Sequence, residues 1–426
     1  MSALPMADSL WAATAIAAPE CAPLDTDREV DVAIVGAGFT GLTTALHLAE
    51  RGVSTAVIDA GQPGWGASGR NGGQVIPGLK DDPDALVEKF GERGEALIEV
   101  IERAADEVFA LIERYGIDCQ AVRGGWIQPA LSNTALRTIE SRAEQWRRRG
   151  VAVEWLDAQG VTARTGASGY LGGWVDPRAG AVQPLSLARG IARAAQQQGA
   201  AIHGGTRAQR LHREGKHWVL TTAQGARLRA ERVVLATNGY SDGLWPGLSR
   251  TLISAQSFIV ATAPLAHHHA AGILPGGAVC SDGRHLLLYY RLDAANRLLL
   301  GGRGPFREAR GAADWAHIER NLTELFPALA GHIRIEHRWC GRLALTRDHL
   351  PHYHEPAPGI SILLGYNGRG VAMSNTLARH LAARLAGGSE PFPLPITPIR
   401  PIPLHGLQRL YFGTAVNYYR LLDKLA

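Results

Sequence analysis

The sequence predicts a two-domain α/β protein, and three stretches carry that expectation. A strand–helix–strand unit of about thirty residues spans 31–59, with the apolar strands expected of a parallel sheet covered on both faces. A β-rich region follows from about 252 to 302, with strands at 257–261, 285–291 and 297–301. The first pattern returns late, as an apolar strand at 360–364, a glycine turn at 365–370 and a helix at 372–385. At 426 residues the chain can hold two or three domains, each with a full core.

Taken in order, the first 27 residues are rich in alanine and proline and read as an extended arm. Residues 31–35 form a strand, 42–51 a helix and 54–59 the next strand. Between 83 and 115, Leu86, Phe90, Leu97, Val100, Ile101, Val108, Leu111 and Ile112 recur at helical spacing. Residues 133–149 and 184–198 are also helical, and 124–131 reads as a strand. A hairpin at 218–222 and 226–229 turns about Ala223-Gln-Gly225 and runs into the apolar strand 233–239. The proline-rich stretch 391–403 predicts an extended tail that wraps rather than packs.

Composition excludes several classes. The net charge of +5 comes from arginine, since the only lysines are Lys80, Lys89, Lys216 and Lys424. The longest basic run, Arg147-Arg148-Arg149, ends a helix and reads as a solvated last turn, not a nucleic-acid patch. The mild positive balance favours anionic or carboxylate-bearing substrates. Cys21, Cys119, Cys280 and Cys340 lie far apart, which suits a reducing cytoplasm rather than a disulfide framework or a zinc site. His267-His-His269 reads as a surface turn and His352-Tyr-His354 as a structural pair, so no metal is expected. Neither a signal peptide nor an apolar membrane span is apparent, and a cytoplasmic protein is expected.

The glycine segments carry the chemistry. Gly36-Ala-Gly38-Phe-Thr-Gly41 joins a strand to a helix. Its glycines permit, in turn, a tight bend, close approach to a pyrophosphate, and close helix–strand packing. Asp59 ends the second strand eighteen residues after Gly41, where an acid accepts hydrogen bonds from a ribose. A second glycine loop follows at once, Gly64-Trp-Gly-Ala-Ser-Gly-Arg-Asn-Gly-Gly73, and later come Ala236-Thr-Asn-Gly239 and Gly365-Tyr-Asn-Gly-Arg-Gly370. Repeated returns to one ligand suit FAD better than the shorter NAD.

These segments resemble the amine- and amino-acid-oxidising flavoproteins of the D-amino acid oxidase superfamily, most closely the gamma-glutamylputrescine oxidase group. Residues 31–41, 64–74, 236–241 and 365–371 carry the likeness, with Tyr289-Tyr-Arg291 before Gly301-Gly302 and Thr346-Arg-Asp348 before Pro351. Trp11 in the arm and Tyr418-Tyr-Arg420 near the end add to it. The resemblance implies a discontinuous, Rossmann-like FAD-binding domain of 28–77, 181–244 and 341–388. A β-rich substrate domain would use 78–180 and 245–340, with an arm at 1–27 and a tail at 389–426. Gly36, Gly38 and Gly41 would contact the pyrophosphate, Asp59 the ribose and Ala208 the adenine end. Ser68, Asn71, Gly72 and Gly73 would lie along the flavin, and the helix opened by Gly368, Arg369, Gly370 and Val371 would point to its pyrimidine side. Thr40, Ala60, Arg70, Ala236, Thr237 and Asn238 complete the cofactor set. The chain departs from the family's Gly-Tyr-Ser-Gly-His-Gly turn at Asn367 and Arg369, and has Ser254 where proline is common.

The activity implied is oxidation of a C–N bond in a small amine of polyamine or gamma-glutamyl-polyamine type. Hydride would pass from the carbon beside a neutral amine to flavin N5. The imine would hydrolyse to an aldehyde plus ammonia or amine, with oxygen as acceptor giving hydrogen peroxide. Trp65, Tyr289, Tyr290, Tyr366 and Arg369 are the pocket candidates, and no catalytic base is named. One alternative is an amino-acid oxidase or dehydrogenase, with Arg291, Arg342 or Arg369 on the substrate carboxylate. Another is a flavin-binding scaffold or redox sensor without turnover. Relatives of the sarcosine oxidase type attach flavin through a cysteine near Cys340, but Cys340 stands one residue out of register, so non-covalent FAD is expected. Those relatives also keep a lysine beside the flavin. Here residues 217–423 contain none, leucines occupy 298–300, and Arg369 is the candidate cation for oxygen activation.

Overall fold

The computed structural model describes residues 4–408 and Gly413. One eight-stranded sheet grows outward from Arg28–Val35, which pairs in parallel with Thr55–Ile58 on one side and Arg227–Leu235 on the other. Ala201–His203 and Ile360–Leu364 extend it, again in parallel. His352–His354 closes one edge antiparallel, and the hairpin of Ala208–Glu214 and His217–Thr222 hangs from Arg227–Leu235. The central strands are buried on both faces, which explains their unbroken runs of Val, Ile and Ala. The helices Phe39–Ala49, Pro184–Gln197 and Gly370–Leu385 share one core over this sheet.

A second eight-stranded sheet runs in the order Ile335–Leu345, Ile253–Thr262, Leu298–Arg303, Tyr289–Leu292, Val279–Ser281, Trp126–Ala130, Gly172–Asp176 and Glu154–Asp157. It is antiparallel except where Val279–Ser281 meets Trp126–Ala130. One of its faces carries Phe258, Val260, Tyr290, Leu298 and Leu300 and is covered by the helix Ala316–Leu325. The other face carries Ile259, Ala261, Leu299 and Trp339 and packs on Leu10 and Trp11.

The α/β class holds, and several details differ from expectation. The arm is not wholly extended: Leu10–Thr14 is helical, capped by the Ser9 hydroxyl, with Leu10 and Trp11 fully buried. The helical stretch 83–115 is three helices, Pro83–Phe90, Glu92–Glu102 and Ala104–Arg114, broken first at Gly91, whose φ of +57° no helix tolerates. The last two pack against the Gly370–Leu385 layer of the first sheet. Ile335–Leu345 is one continuous strand of the second sheet, so a boundary at 341 falls inside it. In the tail, Phe392 and Leu394 are buried, and the Phe392 ring lies 4.2 Å from that of Tyr353, so this stretch packs as well as wraps. Tyr418-Tyr-Arg420 lies outside the described residues.

Candidate active site

A large cavity of about 1160 Å³ runs between the two sheets. It exceeds the roughly 300–1,000 Å³ that holds a drug-sized ligand. At one place it is walled by the first glycine turn. Gly36 has a φ of +114°, and a Cβ there would stand 2.8 Å from the Ala236 carbonyl oxygen. A Cβ on Gly38 would meet the Ser68 hydroxyl at 2.9 Å, and that hydroxyl accepts from the Phe39 N–H. Gly41 does not line the cavity; its missing side chain lets the helix press on the Gly36 carbonyl.

Asp59 and Ala60 lie on the wall, with the Asp59 carboxylate accepting from the Ala37 and Gly61 N–H groups, both at 2.7 Å. Burial pushes its pKa up, against those two hydrogen bonds. A carboxylate has about four acceptor positions, so capacity remains for a ribose. Ala208, Ala236, Thr237 and Asn238 face the same space, and the Asn238 amide oxygen holds the Gly365 N–H at 2.9 Å.

Opposite stands the turn before Gly370–Leu385, where Gly368, Arg369, Gly370 and Val371 reach the cavity. Asn367 occupies left-handed backbone, φ +51°, which asparagine tolerates better than most residues. Its side-chain oxygen holds the Thr346 N–H at 2.9 Å, which accounts for one departure from the family turn. Tyr366 is buried, hydrogen-bonded to Thr40 at 2.6 Å, and its phenol pKa is raised by burial. The N-cap residues Gly38 and Arg369 make no side-chain cap, and both helix N-termini face one cavity, with Ser68 taking only the Phe39 N–H of the first.

From the second loop, Trp65, Ser68, Arg70, Asn71 and Gly72 line the wall, whereas Gly73 turns away with φ +70° and packs on Val182 and Arg291. Trp65 donates to the Pro5 carbonyl and carries Arg70 over its face at 4.7 Å. The glycines Gly72 and Gly301 leave room for the Tyr289 ring, whose hydroxyl pairs with Ser257 at 2.7 Å. Burial raises the Tyr289 phenol to about 12, so it stays protonated at neutral pH.

With bare glycines, an acid at a strand end and two helix N-termini converging on one long space, these residues fit a dinucleotide flavin. The model of the DAO family, FAD dependent oxidoreductase, matches residues 31–384. The chain belongs to this family. It is therefore an FAD-dependent oxidoreductase. It is 33% identical over 423 residues to gamma-glutamylputrescine oxidoreductase of Escherichia coli (strain K12), covering 96% of this chain and 97% of that one. Among solved structures it resembles glycine oxidase from Geobacillus kaustophilus, TM-score 0.71 at 24% identity over 85% of this chain and 96% of the other. L-proline dehydrogenase from P. horikoshii matches with TM-score 0.73 at 18% identity, over 91% and 99% of the two chains. These structural likenesses establish the fold.

Two sequence-derived candidates, Tyr290 and Arg291, lie off the cavity. Tyr290 does not reach the cavity: it is fully buried in the opposite core, edge-on to Phe326 at 5.3 Å. Arg291 does not reach it either, since it donates to the Val182 carbonyl and lies over the Trp11 ring. Cys340 pairs with Phe258 and packs against that same opposite core, away from the cavity wall. Arg342 does line the cavity but is paired with Glu308 at 3.1 Å. Among the described residues no cluster of His, Cys, Asp and Glu could hold a metal. No helix among them is long and apolar enough to cross a membrane.

Sequence reasoning missed one wall. Lys80, Trp126, Gln128 and Arg142 all line the cavity. Lys80 is exposed, with its side chain opening onto the cavity. Desolvation by the surrounding walls, then Arg369, Arg142 and Arg303, push its ammonium down to about 8. Its place just after the second glycine loop was the available signal.

Proposed function

We propose that this protein oxidises the C–N bond of a small amine of the gamma-glutamyl-polyamine type, releasing an aldehyde after imine hydrolysis. The observation that carries this reading is the end-to-end likeness to gamma-glutamylputrescine oxidoreductase. The continuous cavity supports it: the walls at Gly36 and Asp59 suit the dinucleotide, leaving the space beside Tyr289, Tyr366 and Trp126 for an amine. Bound FAD supplies a hydride acceptor at N5. The residues around it bind and desolvate. An alkyl ammonium of ordinary pKa near 10.4 costs roughly 4–5 kcal/mol to deprotonate at neutral pH. Walls built from buried aromatic rings lower that cost by disfavouring the cation, so no dedicated base is required. Oxygen, reduced to hydrogen peroxide, is the acceptor in this reading, and the cytoplasm is the compartment.

The test is anaerobic bleaching of the purified flavoprotein by gamma-glutamylputrescine, putrescine, glycine and proline in turn. Fast bleaching by the first is expected, and its rate at low substrate should climb with pH to a plateau as the amine loses its proton. A protein bleached only by amino acids would overturn this reading in favour of amino-acid oxidation. A rate that stays flat between about pH 6 and 10 would exclude the neutral amine as the reacting form.

A further inference from the structure

Gln128 stands in the middle of the strand Trp126–Ala130, and it lines the cavity although the residue is only 8% exposed. Its side-chain oxygen is used twice. Arg142 donates to Oε1 from Nη1 at 2.9 Å, and Trp174 donates to it from Nε1 at 3.0 Å. Both donors are themselves fixed. Arg142 also donates to Asp82 from Nε and Nη2, so its charge is met. Trp174 is fully buried, faces Gln128 across the paired strands, and lies edge-on to Trp126 at 5.4 Å. An amide oxygen has two acceptor positions, and both are filled. Turning the amide over would set its NH2 group against two N–H donors, so one orientation alone is allowed. What remains is Nε2, which forms no hydrogen bond among the described residues.

An enclosed N–H without an acceptor costs free energy, and the open side of this one is the cavity. Trp126 and Gln128 lie two residues apart on one strand and so face the same way, toward the space that the dinucleotide leaves free. Beyond Gln128 the wall continues through Leu131, Ser132, Asn133 and Thr134, none of them charged. This stretch of wall therefore asks for an acceptor atom and not for an anion.

We infer that Gln128 is a specificity-determining residue: its fixed Nε2 donates to a carbonyl oxygen on the substrate, selecting an amine whose chain carries an amide over one whose chain is purely aliphatic. An aliphatic chain would leave these N–H groups desolvated and unpaired, so discrimination comes from that penalty as well as from the bond. The inference rests on the amine-oxidation reading for the reacting end of the substrate, but Gln128 can be tested without turnover.

The experiment titrates the holoenzyme with N-butylacetamide, which has the amide and lacks the reacting amine, following flavin absorbance and the infrared stretch of an isotope-labelled carbonyl. The ligand should bind, and its carbonyl stretch should fall as the hydrogen bond forms. Gln128→Glu keeps an oxygen for Arg142 and Trp174 but replaces the donor with an acceptor. It should weaken N-butylacetamide by roughly ten- to a hundredfold and abolish the infrared shift. Gln128→Met, which removes the donor without adding charge, should do the same. In turnover, both variants should raise the KM of N-acetylputrescine far more than that of heptylamine, the same chain without its amide, with less effect on kcat. Unchanged N-butylacetamide affinity in Gln128→Glu would overturn the assignment. So would a Gln128→Glu enzyme that keeps the ratio of the two KM values and instead shifts the spectrum and potential of the ligand-free flavin, since Nε2 would then be bonded to the cofactor. If N-butylacetamide binds through Gln128 and no amine bleaches the flavin, the role of Gln128 stands and the amine reading falls.

Discussion

Tyr289 reaches the cavity wall because Gly72 and Gly301, bare of side chains, leave room for its ring, and Ser257 fixes its hydroxyl at 2.7 Å. Tyr289 and Tyr290 were equal candidates in the sequence, yet successive residues of a strand face opposite ways, and only Tyr289 meets the cavity. Tyr289→Phe should therefore alter the flavin spectrum and substrate KM, whereas Tyr290→Phe should leave both unchanged. Glycine and acid positions were legible because their chemistry is local. Which strand face a tyrosine takes, and that Lys80 and Arg369, 289 residues apart, line the same cavity, depend on tertiary structure that no local pattern encodes.

The helix Leu10–Thr14 is the clearest case of an element that a sequence pattern cannot reveal. Five residues are too few for a hydrophobic period, and an isolated turn of helix is unstable in water. It exists because its surroundings bury it. Trp11 lies edge-on to Trp339 at 5.8 Å, beneath the Arg291 guanidinium, and donates from Nε1 to the Asn71 carbonyl at 2.7 Å. Gln183 in turn donates to the Trp11 carbonyl, and its own oxygen caps Pro184–Gln197. The arm thus fastens the second glycine loop to both sheets. Trp11→Phe keeps the buried ring and removes one hydrogen bond, and should cost about 1 kcal/mol. Trp11→Ala also opens a cavity and should cost about 3–5 kcal/mol. Both should speed FAD release, measured as the rise of free-flavin fluorescence on dilution. Unchanged release from Trp11→Ala, despite lower thermal stability, would mean that the loop holds its shape without the arm.

At the scale of the molecule, the cavity draws its walls from both sheets: Gly36, Asp59 and Ala208 from the first, Ser257, Tyr289 and Gly341 from the second. A cofactor in that space is an interior component that two layers share, so its binding free energy stabilises their association as well as each layer. Binding to the folded state alone raises stability by RT ln(1 + [L]/Kd), about 1.4 kcal/mol for each tenfold excess of FAD. Scanning calorimetry of the holoenzyme should accordingly give one transition that moves upward with added FAD. Gly38→Val provides the contrast, because a side chain there collides with Ser68 and fills the approach to the pyrophosphate. That variant should be isolated colourless, unfold at lower temperature, and show no response to FAD. Two transitions in the wild type, with FAD moving only one, would mean that the first sheet alone grips the cofactor. The Tyr289 wall would then close over it as an independent unit, and substrate affinity rather than FAD affinity would report the docking of the second sheet.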